Sequence, residues 1–201
     1  MSQTSVLELI RSDIAANRGY PKSVVVLTGY RIAHAMRSRK GIHNRVAYLG
    51  VVTTYKFLSE WLLGIEIPAA TQIGPGLRLR HGIGVVINPA VVIGADVMIR
   101  QNVTLGNRRT NHDCPVIGDH VELGAGAVVI GPCQIGEGAR IGAGAIVIHD
   151  VPPGGTAIAS AATIREKPVA ENLEPRDCTT GPAEISPAAT IMIGSPYGIT
   201  P

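Results

Sequence analysis

The stretch IGDHVELGAGAVV at residues 117–129 is followed by IGEGARIGAGAIV at residues 135–147, and both are built on one six-residue step. Ile117, Leu123 and Val129 are six apart, as are Ile135, Ile141 and Val147. The same step runs upstream through Ile93, Ile99 and Leu105, and before them through Ile73, Leu79 and Val85. All twelve positions are Ile, Leu or Val, and seven are followed directly by glycine: Gly74, Gly94, Gly106, Gly118, Gly124, Gly136 and Gly142. The fifth position of the hexad is also mostly apolar, as at Leu77, Ile83, Val97, Val121, Ala127, Cys133, Ala139 and Ala145.

A period of six matches neither a helix of 3.6 residues per turn nor one long strand of period two. It matches a short strand plus a corner, repeated, with three hexads closing one triangular coil of 18 residues. Coils stacked as parallel strands lie about 4.8 Å apart, so four of them stand roughly 20 Å tall. The glycines are expected at the corners, with positive φ. The predicted fold is mainly β, a parallel β-helix of hexapeptide repeats. Such a prism is too narrow for rings. Accordingly the chain has one Trp, five Tyr and one Phe in 201 residues, while 45% of it is hydrophobic.

Two breaks in the step are visible. Val85 to Ile93 spans eight residues, which places two extra residues near Asn88 and Pro89. Leu105 to Ile117 spans twelve, so a polar loop at residues 108–115 replaces one hexad. Loops ejected from a regular solenoid are natural places for function. The coils are expected to end where Val151-Pro152-Pro153 removes ladder donors.

Three regions follow: an N-terminal helical region at 1–64, the β-helix at 65–160, and a Pro-rich tail at 161–201. In the first, Ser5 and Glu8 have capping-box spacing. A second helix is predicted over residues 21–39, opened by Pro21, and a third over residues 44–63, closed by Gly64. Val46, Leu49, Val52, Phe57 and Leu62 of the third read as residues buried against neighbours. In the tail, residues 189–193 read as one extra strand or as a segment packed on a neighbouring subunit.

The net charge of +3, without a basic stripe carrying aromatics, argues against a nucleic-acid partner. Cys114, Cys133 and Cys178 form no CxxC and no disulfide framework. Arg11 and Asp13 interrupt any signal-peptide core, and no apolar run is long enough to be transmembrane. Together these predict a cytoplasmic location.

The hexads, the ejected loop and the segment Leu79-Arg80-His81-Gly82-Ile83-Gly84-Val85-Val86-Ile87 resemble the serine acetyltransferase-like O-acetyltransferases, a group of left-handed β-helix acyltransferases. The likeness starts at Tyr30-Arg31-Ile32-Ala33-His34 and continues through Gln101-Asn102-Val103-Thr104-Leu105-Gly106 to Thr163. It implies the left hand of the coil, which spacing cannot reveal. It also implies a homotrimer with acetyl-CoA along a groove between neighbouring prisms, and no metal. The general base of that family maps to His81, and the carboxylate that orients it maps to Glu66. An imidazole with a pKa near 6.5 suits removal of an alcohol proton at neutral pH. The CoA positions map to Gly106, Gly124, Ala125, Gly142 and Ala143, with Arg140 toward a phosphate.

The chain also departs from the serine-specific pattern. Arg80 stands where an Asp precedes the catalytic His, and Asp113-Cys114 stands where the loop carries Arg-His. Residues 16–21 replace the Asp-Pro-Ala segment. Arg80 would repel an ammonium group. The short helical start resembles acetyltransferases of exopolysaccharide and capsule pathways. Arg78, Arg80, Arg100, Arg108 and Arg109, with His112 and Asp113, are expected around a small-molecule or oligosaccharide acceptor. The predicted function is acetyl transfer to a hydroxyl of a sugar or polysaccharide precursor. A serine O-acetyltransferase and a non-catalytic β-helix scaffold are the alternatives. A zinc carbonic anhydrase of the same fold would want a closer His pair than His112 and His120.

Overall fold

The computed structural model describes residues 5–38 and 41–164. Residues 189–193 and Cys178 lie outside them. One compact unit, Met1–Ala161, holds both the helices and the solenoid.

Helix α1 (Val6–Ala16) starts in the expected capping box, with Ser5 and Glu8 satisfying each other's backbone N–H groups. Helix α2 (Pro21–Arg37) has Pro21 at its first turn, where a missing N–H costs nothing. Helix α3 (Ile42–Lys56) continues into a π-helical turn, Phe57–Leu62. The chain then leaves the helices at Gly64, whose φ of 64° is left-handed.

Strands come in threes. The first coil supplies β1 (Gln72–Ile73), β2 (Arg78–Arg80) and β3 (Val86–Ile87). The second supplies β4 (Val92–Ile93), β5 (Met98–Arg100) and β6 (Thr104–Gly106). The third supplies β7 (Val116–Ile117), β8 (Glu122–Leu123) and β9 (Val128–Ile130). The fourth supplies β10 (Gln134–Ile135), β11 (Arg140–Ile141) and β12 (Ile146–Val147), and β13 (Thr156–Ala157) follows. They form three parallel sheets, β1-β4-β7-β10, β2-β5-β8-β11-β13 and β3-β6-β9-β12. These are the faces of a four-turn parallel β-solenoid, as the six-residue step requires.

The register corrects one count. Ile87, not Val85, pairs with Leu105, and Ile67 lies six residues before Ile73 with Glu66 bridged to Val86. Ile87 to Ile93 is therefore a regular six, and the two extra residues lie between Leu79 and Ile87, not near Asn88 and Pro89. Val85 takes the inward fifth position that the plain count assigned to Ile83, which is 58% exposed. The insertion falls on His81-Gly82.

Glycine's role also differs from the expectation. The glycines after the inward residues do not have positive φ. A Cβ on Gly74 would lie 2.6 Å from the carbonyl carbon of Gly94 in the coil stacked on it. Gly124 is in the same position against the nitrogen of Ala143 at 2.6 Å. Coil-on-coil approach, rather than the turn, excludes a side chain there. The left-handed residues sit two positions further on, at Gly76, Asp96, Asn102, His120, Gly126, Gly138 and Gly144.

The ladder resumes after the prolines, since β13 pairs with β11. The interior is a stack of Ile, Leu, Val and Ala side chains, with Cys133 in the same column. The large rings Tyr30 and Tyr55 are buried instead where the helices meet the first coil.

The helices close the open end of the solenoid. Strands β1, β2 and β3 are all sheet ends, and exposed sheet edges invite aggregation. Asp13 accepts from the backbone of Gly76 and Leu77, and Asn17 brackets Leu77 and Leu79. Arg31 donates to Ile73 and Gly74, Ser23 to Leu79, Tyr30 to Thr71 and Tyr55 to Ile67. His34 bonds the Ala69 carbonyl through Nδ1, a structural role. The outer face of α3 and of its π-helical turn contradicts the sequence expectation: Val46 and Leu49 of the helix and Phe57 and Leu62 of the turn are all exposed. Its inward face uses Tyr55, with Val51 and Val52 packed against the core.

Candidate active site

His81 occupies the enlarged corner between β2 and β3, with φ of 55°. The regular left-handed residue of this corner is Gly84, three before Ile87, matching Asn102, Gly126 and Gly144 in the coils above. His81 is thus an additional left-handed residue created by the insertion. A non-glycine residue in this conformation is uncommon, and such positions cluster at functional sites. The corner is tied down by the Gly84 N–H to the Gly64 carbonyl at 2.7 Å and the Asn102 N–H to the Ile83 carbonyl at 2.9 Å.

Beside it lies a cavity of about 380 Å³ lined by Gly19, Tyr20, Pro21, Lys22, Ser23, Ile65, His81, Gly82 and Ile83. Its walls come from the α1–α2 turn, the start of the solenoid and the enlarged corner. Among the described residues that line it, Lys22 is the one Lys or Arg and none is a carboxylate. The ring of Tyr20 stands edge-on to His81, 5.7 Å between centroids at 83°. Arg80 lays its guanidinium 4.3 Å over the same ring and donates to the Ala16 carbonyl at 3.0 Å.

Glu66 is exposed on the strand edge next to this cavity, with its backbone bonded to Val85 and Ile87. No hydrogen bond or ion pair joins its carboxylate to His81 among the described residues.

A second groove, about 270 Å³, opens on the upper coils and is lined by residues that include Arg100, Gly124, Ala125, Arg140, Gly142 and Ala143. Five of the six positions mapped to CoA contact therefore meet in one place, and Gly106 does not. The groove's rim runs up the His81 corner. Asn102 bonds to Ile83, Gly126 to Gln101 and Gly144 to Ala125, one coil per step. Three steps separate the His81 corner from Ala143, roughly 14 Å at the spacing of stacked strands. Arg140 is exposed and 3.8 Å from Glu122. Arg100, expected at the acceptor, lines this groove instead.

The ejected loop leaves a different corner, between β6 and β7. Within one chain, Arg108, Arg109, His112 and Asp113 are therefore not assembled with His81, and the expected ring of five arginines does not form. Arg78 turns the other way, to the Asp96 carbonyl. Asp113 accepts from the backbone N–H groups of Arg108, Arg109 and Thr110. Slight desolvation raises its pKa, but these donors outweigh it and hold the carboxyl below its ordinary value. Burial pushes the thiols of Cys114 and Cys133 up, which suits packing rather than nucleophilic attack.

Tyr20, Lys22 and Arg100 are site residues that the sequence reading had not singled out for these places. Counting the step back from Ile93 reaches Ile87, but spacing alone does not choose it over Val85, which is equally aliphatic. Nothing in the sequence brings Tyr20 to it.

Comparison with known proteins gives the family. Residues 114–149 match the bacterial transferase hexapeptide family (six repeats). The chain is 35% identical over 156 residues to the putative colanic acid biosynthesis acetyltransferase WcaB of Escherichia coli K12, covering 76% of this chain and 96% of that one. It belongs to the hexapeptide-repeat acetyltransferases. A serine acetyltransferase of Helicobacter pylori is 38% identical over 147 residues, 71% of this chain and 80% of its own. Among solved structures, serine acetyltransferase isoform 3 of Entamoeba histolytica with cysteine superposes at TM-score 0.68 and 28% identity. That match covers 81% of this chain and 61% of the Entamoeba chain. A serine acetyltransferase in complex with CoA superposes at TM-score 0.64 and 28% identity, over 76% of this chain and 66% of that one. As a hexapeptide-repeat acetyltransferase, the protein is an acyltransferase enzyme, and no helix among its described residues is long and apolar enough to cross a membrane.

Proposed function

We propose that this hexapeptide-repeat acetyltransferase moves the acetyl group of acetyl-CoA to a hydroxyl of a sugar or polysaccharide precursor, with His81 as general base. The observation that carries the reading is the His81 cavity, whose lining offers an aromatic ring, apolar walls and Lys22 but no carboxylate. Among these lining residues an amino-acid ammonium meets Lys22 and no carboxylate, and Glu66 beside the cavity is assigned to His81, whereas a sugar hydroxyl and its apolar ring face need no countercharge. The 35% identity to a relative named for colanic acid biosynthesis points the same way.

In the reaction, the His81 imidazole takes the hydroxyl proton as the acceptor oxygen attacks the thioester carbonyl. The new C–O bond replaces the C–S bond, and the imidazolium returns the proton to the departing thiolate. Glu66 sits one carbon further from its backbone than an Asp would, and its part is to stabilise the imidazolium when the cavity fills. The groove holding Ala125 and Ala143 takes the pantetheine arm, whose approach needs small residues, and Arg100 and Arg140 face its phosphates. The ejected loop carries Arg108, His112 and Asp113 away from their own His81. A homotrimer, typical of this fold, would bring a neighbour's loop to the cavity, in a cytoplasmic enzyme.

Serine is the second reading, favoured by the names of several relatives and of the solved structures. Thiol release from acetyl-CoA, with L-serine, methyl α-D-glucoside, methyl α-L-fucoside and a capsular oligosaccharide run in parallel, separates the two. Release with a carbohydrate alone is the expected result. Release with serine alone overturns the sugar reading. A His81→Ala protein is expected to lose about 10²- to 10⁴-fold in turnover. Wild-type turnover by it would remove His81 as base.

A further inference from the structure

The geometry points to Tyr20 as the residue that positions the His81 imidazole, with Arg80 holding Tyr20 in place. The inference rests on His81 being the general base. His81 stands on a corner two residues longer than its neighbours, in a left-handed conformation, and is exposed. Neither of its ring nitrogens has a hydrogen-bond partner among the described residues. Nothing polar fixes the ring, so packing must, and the aromatic ring against it is that of Tyr20, edge-on at 5.7 Å and 83°. Edge-to-face geometry is the directional aromatic arrangement, because the positive rim of one ring meets the negative face of the other.

Tyr20 is itself held from three sides. It ends the short turn between α1 and α2, where Gly19 has φ of 85° and the Tyr20 N–H bonds to the Asn17 carbonyl at 3.0 Å. Asn17 and Ser23, flanking that turn, are bonded to the backbone of β2 at Leu79, two residues before His81. Arg80, the residue adjacent to His81, lies over the Tyr20 ring at 4.3 Å and donates to Ala16. The guanidinium is planar and covers a ring in a way an ammonium cannot. Its Nη1 is buried with no hydrogen-bond partner among the described residues, so the stacked position is kept although it leaves a donor unmet there. The Tyr20 hydroxyl makes no hydrogen bond among the described residues, so the ring, not the phenol, does the positioning.

This gives Arg80 a role different from the electrostatic one read from sequence. It reaches the reaction through Tyr20. A misaligned base costs rate without costing cofactor affinity, on the order of 10²-fold for a displacement near 1 Å.

The test compares the full-length Tyr20→Ala, Tyr20→Leu, Tyr20→Phe, Arg80→Lys and His81→Ala proteins, using acetyl-CoA and the fastest acceptor of the panel above. The His81 ring protons are followed by NMR, assigned by their loss in His81→Ala. Tyr20→Ala and Tyr20→Leu are expected to lower kcat about 10- to 100-fold, with the KM for acetyl-CoA within about twofold, and to move the His81 ring resonances. Tyr20→Phe is expected to restore both, and Arg80→Lys to fall between. Tyr20→Leu keeps most of the bulk, so it separates loss of an oriented ring from a collapsed cavity. Wild-type kcat and unmoved His81 resonances in Tyr20→Ala, with His81→Ala inactive, would overturn the positioning role and leave the function standing. A fully active His81→Ala would overturn the function itself.

Discussion

Arg31 and Asp13 form a buried ion pair, each side chain 2% exposed, with Nε to Oδ2 at 2.8 Å and Nη2 to Oδ1 at 3.2 Å. The pair bridges α1 and α2, and both partners spend their remaining valences on the first coil. Asp13 accepts two backbone N–H groups and Arg31 donates to two carbonyls. It is thus a staple between the helices and the sheet ends rather than a simple charge pair.

Removing one partner should therefore be costly. Asp13→Ala leaves a buried guanidinium uncompensated and two edge N–H groups unpaired, with an expected loss of about 3–5 kcal/mol. Urea unfolding followed by far-UV CD measures it. A loss under 1 kcal/mol would mean the helices are held mainly by Tyr30, Tyr55 and Leu27.

Gly124 separates two readings of the same glycine. If it served only pantetheine approach, Gly124→Ala would raise the KM for acetyl-CoA and leave the fold intact. The coil stacking places any Cβ against the backbone of Ala143, so the expected outcome is a loss of stability of about 1–3 kcal/mol. Thermal melting of the variant decides it.

Ala143 should behave in the opposite way. It lines the upper groove and is exposed. Ala143→Phe is expected to raise the KM for acetyl-CoA about tenfold or more, a loss of about 1.4 kcal/mol, with an unchanged melting temperature. Unchanged KM would move the pantetheine path elsewhere.

Glu66→Gln tests the partner of His81. Since no hydrogen bond joins the two side chains in this state, the expected fall in kcat is smaller than for His81→Ala, about tenfold. No change would leave Glu66 as a strand-edge residue.

Asp113 sets a pH limit on the ejected loop. Its carboxyl is held below the ordinary value in the folded state, so the stabilisation it gives is present above the unfolded pKa of about 4. It is lost as the pH falls through the lower, folded value. Protection of the Arg108, Arg109 and Thr110 amides against hydrogen exchange should therefore hold down to about pH 4 and fade below it. Asp113→Asn should abolish that dependence.

The solenoid was legible because its signal is repetitive. Each inward position from Ile73 to Val147 must be aliphatic, and each must recur after six residues for coils to stack in register. The capping box of α1, the loop at residues 108–115 and the base candidate His81 were local patterns and could be read locally. The true place of the insertion was not, because Val85 and Ile87 are both aliphatic and both buried. Only the pairing of Ile87 with Leu105 chooses between them.

What sequence alone determined, then, was the periodic part: a parallel β-helix and its aliphatic core. The tertiary structure decided which distant groups meet. Tyr20 and Arg80 are 60 positions apart in the chain, and they stack because Asn17 and Ser23 tie the α1–α2 turn to β2. The loop of Arg108 and Asp113 was separated from His81 because a triangular coil sends consecutive corners to different edges of the prism. Period is carried by nearest neighbours along the chain, whereas proximity across the fold depends on closure, which no local spacing records.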